Sequence, residues 1–213
     1  HCQEKCLTVI RPTPIGRFFY LQYNKHMSQE ERVILVDEEN NEIGTALKSE
    51  VHTGNTPRHR AFSVFLFTKQ GELLLQQRAK SKKTWPGVWS NSCCGHPAPT
   101  EETEAAAHRR IQQELGLKNI ELYNMLPDYR YRAEMDGVVE NEICPVFVGV
   151  TRKEINPNPD EIENVLWMPW PDFLKQIESG EAPYSPWAIE EAILLNKSEQ
   201  FNQFLRNQTD SGA

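Results

Sequence analysis

No stretch of this chain approaches 18 consecutive apolar residues, and its most apolar early window, Leu7 to Leu21, is interrupted by Arg11, Pro12, Pro14 and Arg17. The length a membrane span needs and the unbroken core of a signal peptide are both missing. Positive charge is also scarce. Lys and Arg number 23 against 30 Asp and Glu, a formal net charge of −7, so the basic footprint of a nucleic-acid binder is excluded and any anionic ligand must meet a local cluster of cations. Cysteines are few: Cys2, Cys6, Cys93, Cys94 and Cys144 are odd in number and irregularly spaced, which excludes a disulfide framework and predicts a reducing, cytoplasmic setting. Repeats and low-complexity tracts are absent too, and 213 residues at 38% hydrophobic suit one α/β domain with a filled core.

Residues 1–30, with Pro12, Pro14, Gly16 and scattered aromatics, read as an N-terminal extension or leader, and Met27 is a candidate start. The main domain is expected over residues 31–197, followed by a C-terminal tail at 198–213. Strands are predicted at Val33 to Asp37, Glu42 to Ala46, Ala61 to Phe67, Glu72 to Gln77, Glu121 to Leu126, Tyr129 to Ala133, Ile143 to Val150 and Val165 to Met168. Thr103 to Leu115 is the clearest helix, with Ala107, Ile111 and Leu115 at four-residue steps and Gly116 as its stop. Pro171 to Glu178, Trp187 to Asn196 and Ser198 to Asn207 also read as helical. Strands, then a helix, then strands and helices predict an α/β (α+β) fold, a mixed β-sheet sandwiched between helices.

The most informative residues are Asn91-Ser92-Cys93-Cys94-Gly95-His96-Pro97, answered by Glu140-Asn141-Glu142. One thiol, one imidazole and two carboxylates can bind a divalent metal and move protons. Reading on from Gly95, Glu101 follows after five residues and Arg109 after seven more, then Ile111, Glu114, Gly116 and Leu117. This resembles the Nudix box, G-x5-E-x7-R-E-U-x-E-E-x-G-U with U aliphatic, in which a helix aligns carboxylates that bridge a cation to a diphosphate. Arg110 and Gln113 stand where the box has glutamates. Their loss disfavours water activation for hydrolysis and leaves diphosphate binding intact.

Beyond the box, Trp85-Pro86-Gly87-Val88-Trp89-Ser90-Asn91-Ser92 before Cys94-Gly95-His96-Pro97, with Tyr129-Arg130-Tyr131-Arg132, Glu140-Asn141-Glu142 and Tyr184-Ser185-Pro186-Trp187, closely resembles the type I isopentenyl diphosphate isomerase family from about Val33 to Leu195. The resemblance implies a Nudix-like catalytic domain that interconverts isopentenyl and dimethylallyl diphosphate. Protonating an unactivated alkene gives a tertiary carbocation, so the chemistry needs a strong positioned acid and a base on the opposite face. By resemblance, Glu142 with Tyr131 delivers one proton and Cys94 removes the other. His52, His59, His96, Glu140 and Glu142 are implied as ligands of Mn²⁺, Mg²⁺ or Zn²⁺, and Glu114 as the ligand of a Mg²⁺ that arrives with the diphosphate. Lys48, Arg78, Lys82 and Arg110 match the family's phosphate contacts, and Trp187 offers a π face to the carbocation. Trp85 reads as core, Cys93 and Cys144 as buried thiols, and Lys83 and Arg109 as either phosphate contacts or structural groups. The expected partner is a small isoprenoid diphosphate, with no nucleic acid and no membrane, bound by a monomer. The alternatives are a Nudix-type diphosphohydrolase acting on a nucleotide diphosphate derivative and a non-catalytic diphosphate binder.

Overall fold

The computed structural model describes residues 30–180 and 183–210. The expected leader, with Met27, Cys2, Cys6, His1 and His26, lies outside the described residues. Twelve strands among the described residues divide between two mixed sheets. In the first, β1 (Arg32–Val36), β2 (Glu42–Leu47), β3 (His59–Arg60), β9 (Arg130–Met135) and β10 (Val138–Ile143) run in the order β2-β1-β3-β10-β9. In the second, β4 (Phe62–Phe67), β5 (Glu72–Arg78), β8 (Leu122–Leu126), β11 (Val146–Val150) and β12 (Ile162–Pro169) run β12-β5-β4-β11-β8. Two short strands complete it, β6 (Trp89–Ser90) on β5 and β7 (Cys93–Gly95) on β4.

Strand β4 explains why the second sheet lies between helices. All six of its side chains are buried, and successive ones point to opposite faces. Phe62, Val64 and Leu66 join a core with Ala106, Ala107, Ile111 and Leu115 of helix α2 (Thr103–Leu115). Phe65 and Phe67 join the other core with Trp170 and Phe173 of α3 (Trp170–Ser179), Ala192 and Leu195 of α4 (Pro186–Lys197), and Phe201 of α5 (Glu199–Asp210). Each such buried Phe contributes roughly 1.5–3 kcal/mol. The expected α/β sandwich is present, and the segment after residue 197 forms the expected further helix, with Phe201 fully buried.

Two strands pass side by side from one sheet to the other. β3 lies parallel to β10, with His59 opposite Glu142, and β4 lies parallel to β11, with Ser63 opposite Val146. The change of sheet falls at Ala61 in one strand and at Cys144-Pro145 in the other, tied by Ala61 N–H to the Ile143 carbonyl at 2.9 Å. Proline has no N–H to continue a ladder. The single strand expected at Ile143 to Val150 is therefore two, and the seam between the sheets carries His59 and Glu142 as registered neighbours.

A second opening lies inside the β4–β5 hairpin. The two strands pair only at Phe67 and Leu73 and then part to admit β6 and β7. Ser92 spans the gap: its hydroxyl accepts from Leu66 N–H at 2.7 Å and donates to the Leu74 carbonyl at 2.6 Å. This split brings Asn91 to His96 into the centre of the molecule.

Candidate active site

Local backbone rules place the ligands at the seam. Glu140 and Glu142 are two residues apart on β10 and so share one face. His59 is opposite Glu142 on β3. His52 follows α1 (Lys48–Val51), a short turn that sequence periodicity did not mark, and His96 follows β7. The strand character of Glu140-Asn141-Glu142 was also not expected, because buried acids break the apolar alternation that signals a strand.

The five side chains bring one ligand atom each within 4.8 Å of one another. His59 Nδ1–H donates to the Pro57 carbonyl at 2.9 Å, which turns its Nε2 inward. That Nε2 lies 3.3 Å from His96 Nε2, and both nitrogens face Glu142 Oε1, at 3.3 and 2.9 Å. His52 Nε2 and Glu140 Oε2 are 2.9 Å apart, yet both are buried without a hydrogen-bond partner. Ligand atoms this close together, with those of His52 and Glu140 buried without a hydrogen-bond partner, fit a divalent metal, which three imidazoles and two carboxylates are suited to hold. Burial opposes ionisation of Glu142, but its bonds from His59 and His96 hold its carboxyl well below the usual range. Burial drives His96 down to about 3.

Glu142 also reaches beyond this cluster, since its second oxygen, Oε2, accepts from the Tyr131 hydroxyl at 2.8 Å. Tyr131 and Cys94 both pack against an apolar cluster formed by Trp85, Trp187, Ala133 and Ala188, with Val88 and Met135. The Trp187 ring is 5.6 Å from Tyr131 and 5.2 Å from Trp85, centroid to centroid, and the Arg78 guanidinium lies 5.8 Å from it. Trp85 is buried, as its reading as core requires. Burial, with Glu191 next in effect, pushes the Cys94 thiol up to about 12.

Of the cationic residues, Arg110 and Lys82 share a second cluster, and the others are held separately. Arg110 donates to Glu114 Oε1 at 2.9 Å and meets Glu161 at 3.1 Å, and Lys82 pairs with the same Glu161. Glu114 is thus placed with Arg110 and apart from the five-residue group. Arg78 is held by the Thr84 and Trp85 carbonyls. Lys48 opens α1, and Lys83 Nζ donates to the Ser49 carbonyl at 2.7 Å. Arg109 bonds Glu101 at 2.7 and 2.8 Å and reaches the His96 carbonyl at 3.3 Å, so it braces the metal loop. Gly95 is required here: a Cβ would lie 2.9 Å from the Phe62 ring and 3.0 Å from Arg110.

Sequence reasoning missed Glu161, Ser63 and Glu191. Ser63 Oγ lies 3.6 Å from the Cys94 sulfur and 3.5 Å from that of Cys144. Glu191 is fully buried, neither carboxyl oxygen has a partner, and burial raises it well above the usual range. Its position four residues after Trp187 on one helix was the available signal.

A family profile for the NUDIX domain matches residues 57–188. The chain is similar to an isopentenyl-diphosphate Delta-isomerase of Kocuria rhizophila, 50% identical over 161 residues that cover 75% of this chain and 89% of that protein. It is also similar to one of Mycolicibacterium vanbaalenii, 47% identical over 167 residues covering 78% and 92%. The fold is shared with the solved structure of DR0079 from Deinococcus radiodurans at a TM-score of 0.60 and 22% identity, covering 76% of this chain and 99% of that one.

Proposed function

The chain belongs to the isopentenyl-diphosphate Delta-isomerase family, built on a NUDIX domain, and from that premise we propose that Glu142 with Tyr131, and Cys94, are its two proton-transfer groups. The activity is interconversion of isopentenyl and dimethylallyl diphosphate. The observation that carries the assignment is that Tyr131, hydrogen-bonded to Glu142, and Cys94 pack against the same apolar cluster of Trp85 and Trp187.

In the direction from isopentenyl to dimethylallyl diphosphate, the Glu142–Tyr131 pair gives a proton to the terminal methylene carbon. Charge develops at the tertiary carbon against the Trp187 face, where water is excluded and the indole quadrupole is attractive. Cys94 then takes the proton from the neighbouring carbon, and the roles exchange in the other direction. His52, His59, His96, Glu140 and Glu142 would hold a divalent cation, whose positive charge would make Glu142 a stronger acid. Imidazole donors favour Mn²⁺ or Zn²⁺ over Mg²⁺ at that site.

Lys48, Arg78, Lys82 and Arg110 would hold the diphosphate, and Glu114 would hold the Mg²⁺ that neutralises its charge. A monomer suffices for this chemistry, since one chain supplies every group named. Cys94 must stay reduced, which supports a cytoplasmic setting. The hydrolase alternative is disfavoured because Arg110 and Gln113 replace carboxylates and Arg110 neutralises Glu114. The test is to incubate the protein with isopentenyl diphosphate and Mg²⁺ and follow dimethylallyl diphosphate and free phosphate together. The isomer without phosphate is expected; phosphate without the isomer refutes the assignment.

A further inference from the structure

Asn91 is fully buried where the split hairpin meets α4. Its Nδ2 donates to the Val64 carbonyl at 3.1 Å and the Cys93 carbonyl at 3.2 Å. Its Oδ1 receives Ser90 Oγ at 2.8 Å, Cys94 Sγ at 3.1 Å and Trp187 Nε1 at 3.2 Å. The two carbonyls only accept and the indole nitrogen only donates, so the amide has one orientation, and the contact with Cys94 runs from the thiol to Oδ1. Three donors on an oxygen with two lone pairs leave it no capacity for substrate or water. Ser90, one of the three, also bonds Ser185 Oγ at 2.9 Å, and Ser185 N–H bonds the Trp89 carbonyl at 2.8 Å, which fixes the start of α4 just before Trp187.

We infer that Asn91 is a positioning residue for the reaction: one side-chain carbonyl sets the place of the Cys94 sulfur and of the Trp187 indole relative to each other. The inference rests on the proposed roles of those two residues. The sulfur reaches for a proton on a carbon whose neighbouring charge leans on the indole. A shift of either by about 1 Å costs on the order of 10²-fold in rate without changing diphosphate contacts. The competing role is structural, through Nδ2 alone, as a pin between β4 and β7. The two halves of the amide can be tested separately.

Asn91→Ala removes both halves, and Asn91→Asp keeps an acceptor toward Cys94 and Trp187 while removing the donors to Val64 and Cys93. Both are compared with the wild type and Cys94→Ala, as metal-loaded enzyme, by steady-state kinetics and by ¹H–¹⁵N spectra in which Trp187→Phe identifies the Trp187 indole signal. Asn91→Ala is expected to lower kcat about 10²-fold with KM for isopentenyl diphosphate within about threefold, and to move the Trp187 indole proton upfield. Asn91→Asp is expected to lose thermal stability yet recover most of kcat. A folded Asn91→Ala with kcat within about threefold of wild type overturns the inference, and so does an Asn91→Asp as slow as Asn91→Ala. If Asn91→Ala does not fold, Asn91→Asp decides alone: turnover within about tenfold of wild type supports the positioning role, and a larger loss overturns it. Normal turnover in Cys94→Ala would instead remove the catalytic assignment itself, whereas an inactive Cys94→Ala beside a normal Asn91→Ala removes only the role of Asn91.

Discussion

Glu142 and Glu114 are both buried, one at 5% and the other at 3% exposure, yet their surroundings are opposite. Around Glu142 the neighbours are imidazoles, a second carboxylate and a phenol. No Lys or Arg pairs with it among the described residues, so the lone pairs there are left for a metal. Around Glu114 the neighbours are Arg110, Glu161 and Lys82, two cations and two carboxylates that neutralise one another. A carboxylate beside imidazoles is poised for metal and proton chemistry. The same group beside a guanidinium is committed to structure until an anion enters and shares the cations. On this NUDIX scaffold Arg110 stands where the box has a glutamate, and the carboxylates that imidazoles surround lie at the seam between the sheets.

The comparison is broken most severely by removing the cation from the neutral cluster. Arg110→Met leaves the buried Glu114 without its partner and Glu161 with Lys82 alone, and stability should fall by about 3–5 kcal/mol, read from the urea unfolding midpoint. A loss below about 1 kcal/mol would mean the pair behaves as a surface contact. On the other side, Glu142→Gln should lower isomerisation by at least about 10²-fold while the unfolding midpoint moves much less. Equal losses of stability in the two variants would erase the distinction between the clusters.

Metal content sharpens the contrast. His59→Ala and His96→Ala should each lower retained metal by at least about tenfold after dialysis, measured by elemental analysis, whereas Glu114→Gln should leave the tightly held metal in place. Unchanged metal in both histidine variants would refute the seam site.

The smallest expected effect is in the thiol. Burial first, then the Glu191 charge, raises Cys94 to about 12, so only a minor fraction is thiolate at neutral pH. The sign follows: alkylation of Cys94 by iodoacetamide should be slow at pH 7 and still rising past about pH 10. A plateau by about pH 10 would show an ordinary thiol.

Much of this was legible before any coordinates. The apolar run at Ala61 to Phe67 predicted a fully buried strand, because alternate residues serve two cores. Gly116, at φ +71° with the left-handed geometry of a helix stop, closed the helix where expected. The Cys94, His96, Glu140 and Glu142 constellation was visible as a motif. Its geometry was not. Glu140 to Glu142 lie on a strand whose buried acids hide its period, and the break at Pro145 divides what reads as one apolar run. Asn91 and Ser92 have no sequence signal for their roles, since Asn91 reaches the Val64 carbonyl and the Trp187 indole and Ser92 reaches Leu66 and Leu74, all distant in sequence. Pairing of Arg110 with Glu161 spans 51 positions, beyond any local rule.

The central claim, that Glu142 with Tyr131, and Cys94, are the two proton-transfer groups, is tested most directly by Cys94→Ala incubated with isopentenyl diphosphate and Mg²⁺ in D₂O and followed by NMR. With Glu142 and the metal site intact but no thiol, dimethylallyl diphosphate should form at less than about one hundredth of the wild-type rate. Deuterated dimethylallyl diphosphate appearing at close to the wild-type rate would contradict the assignment of Cys94.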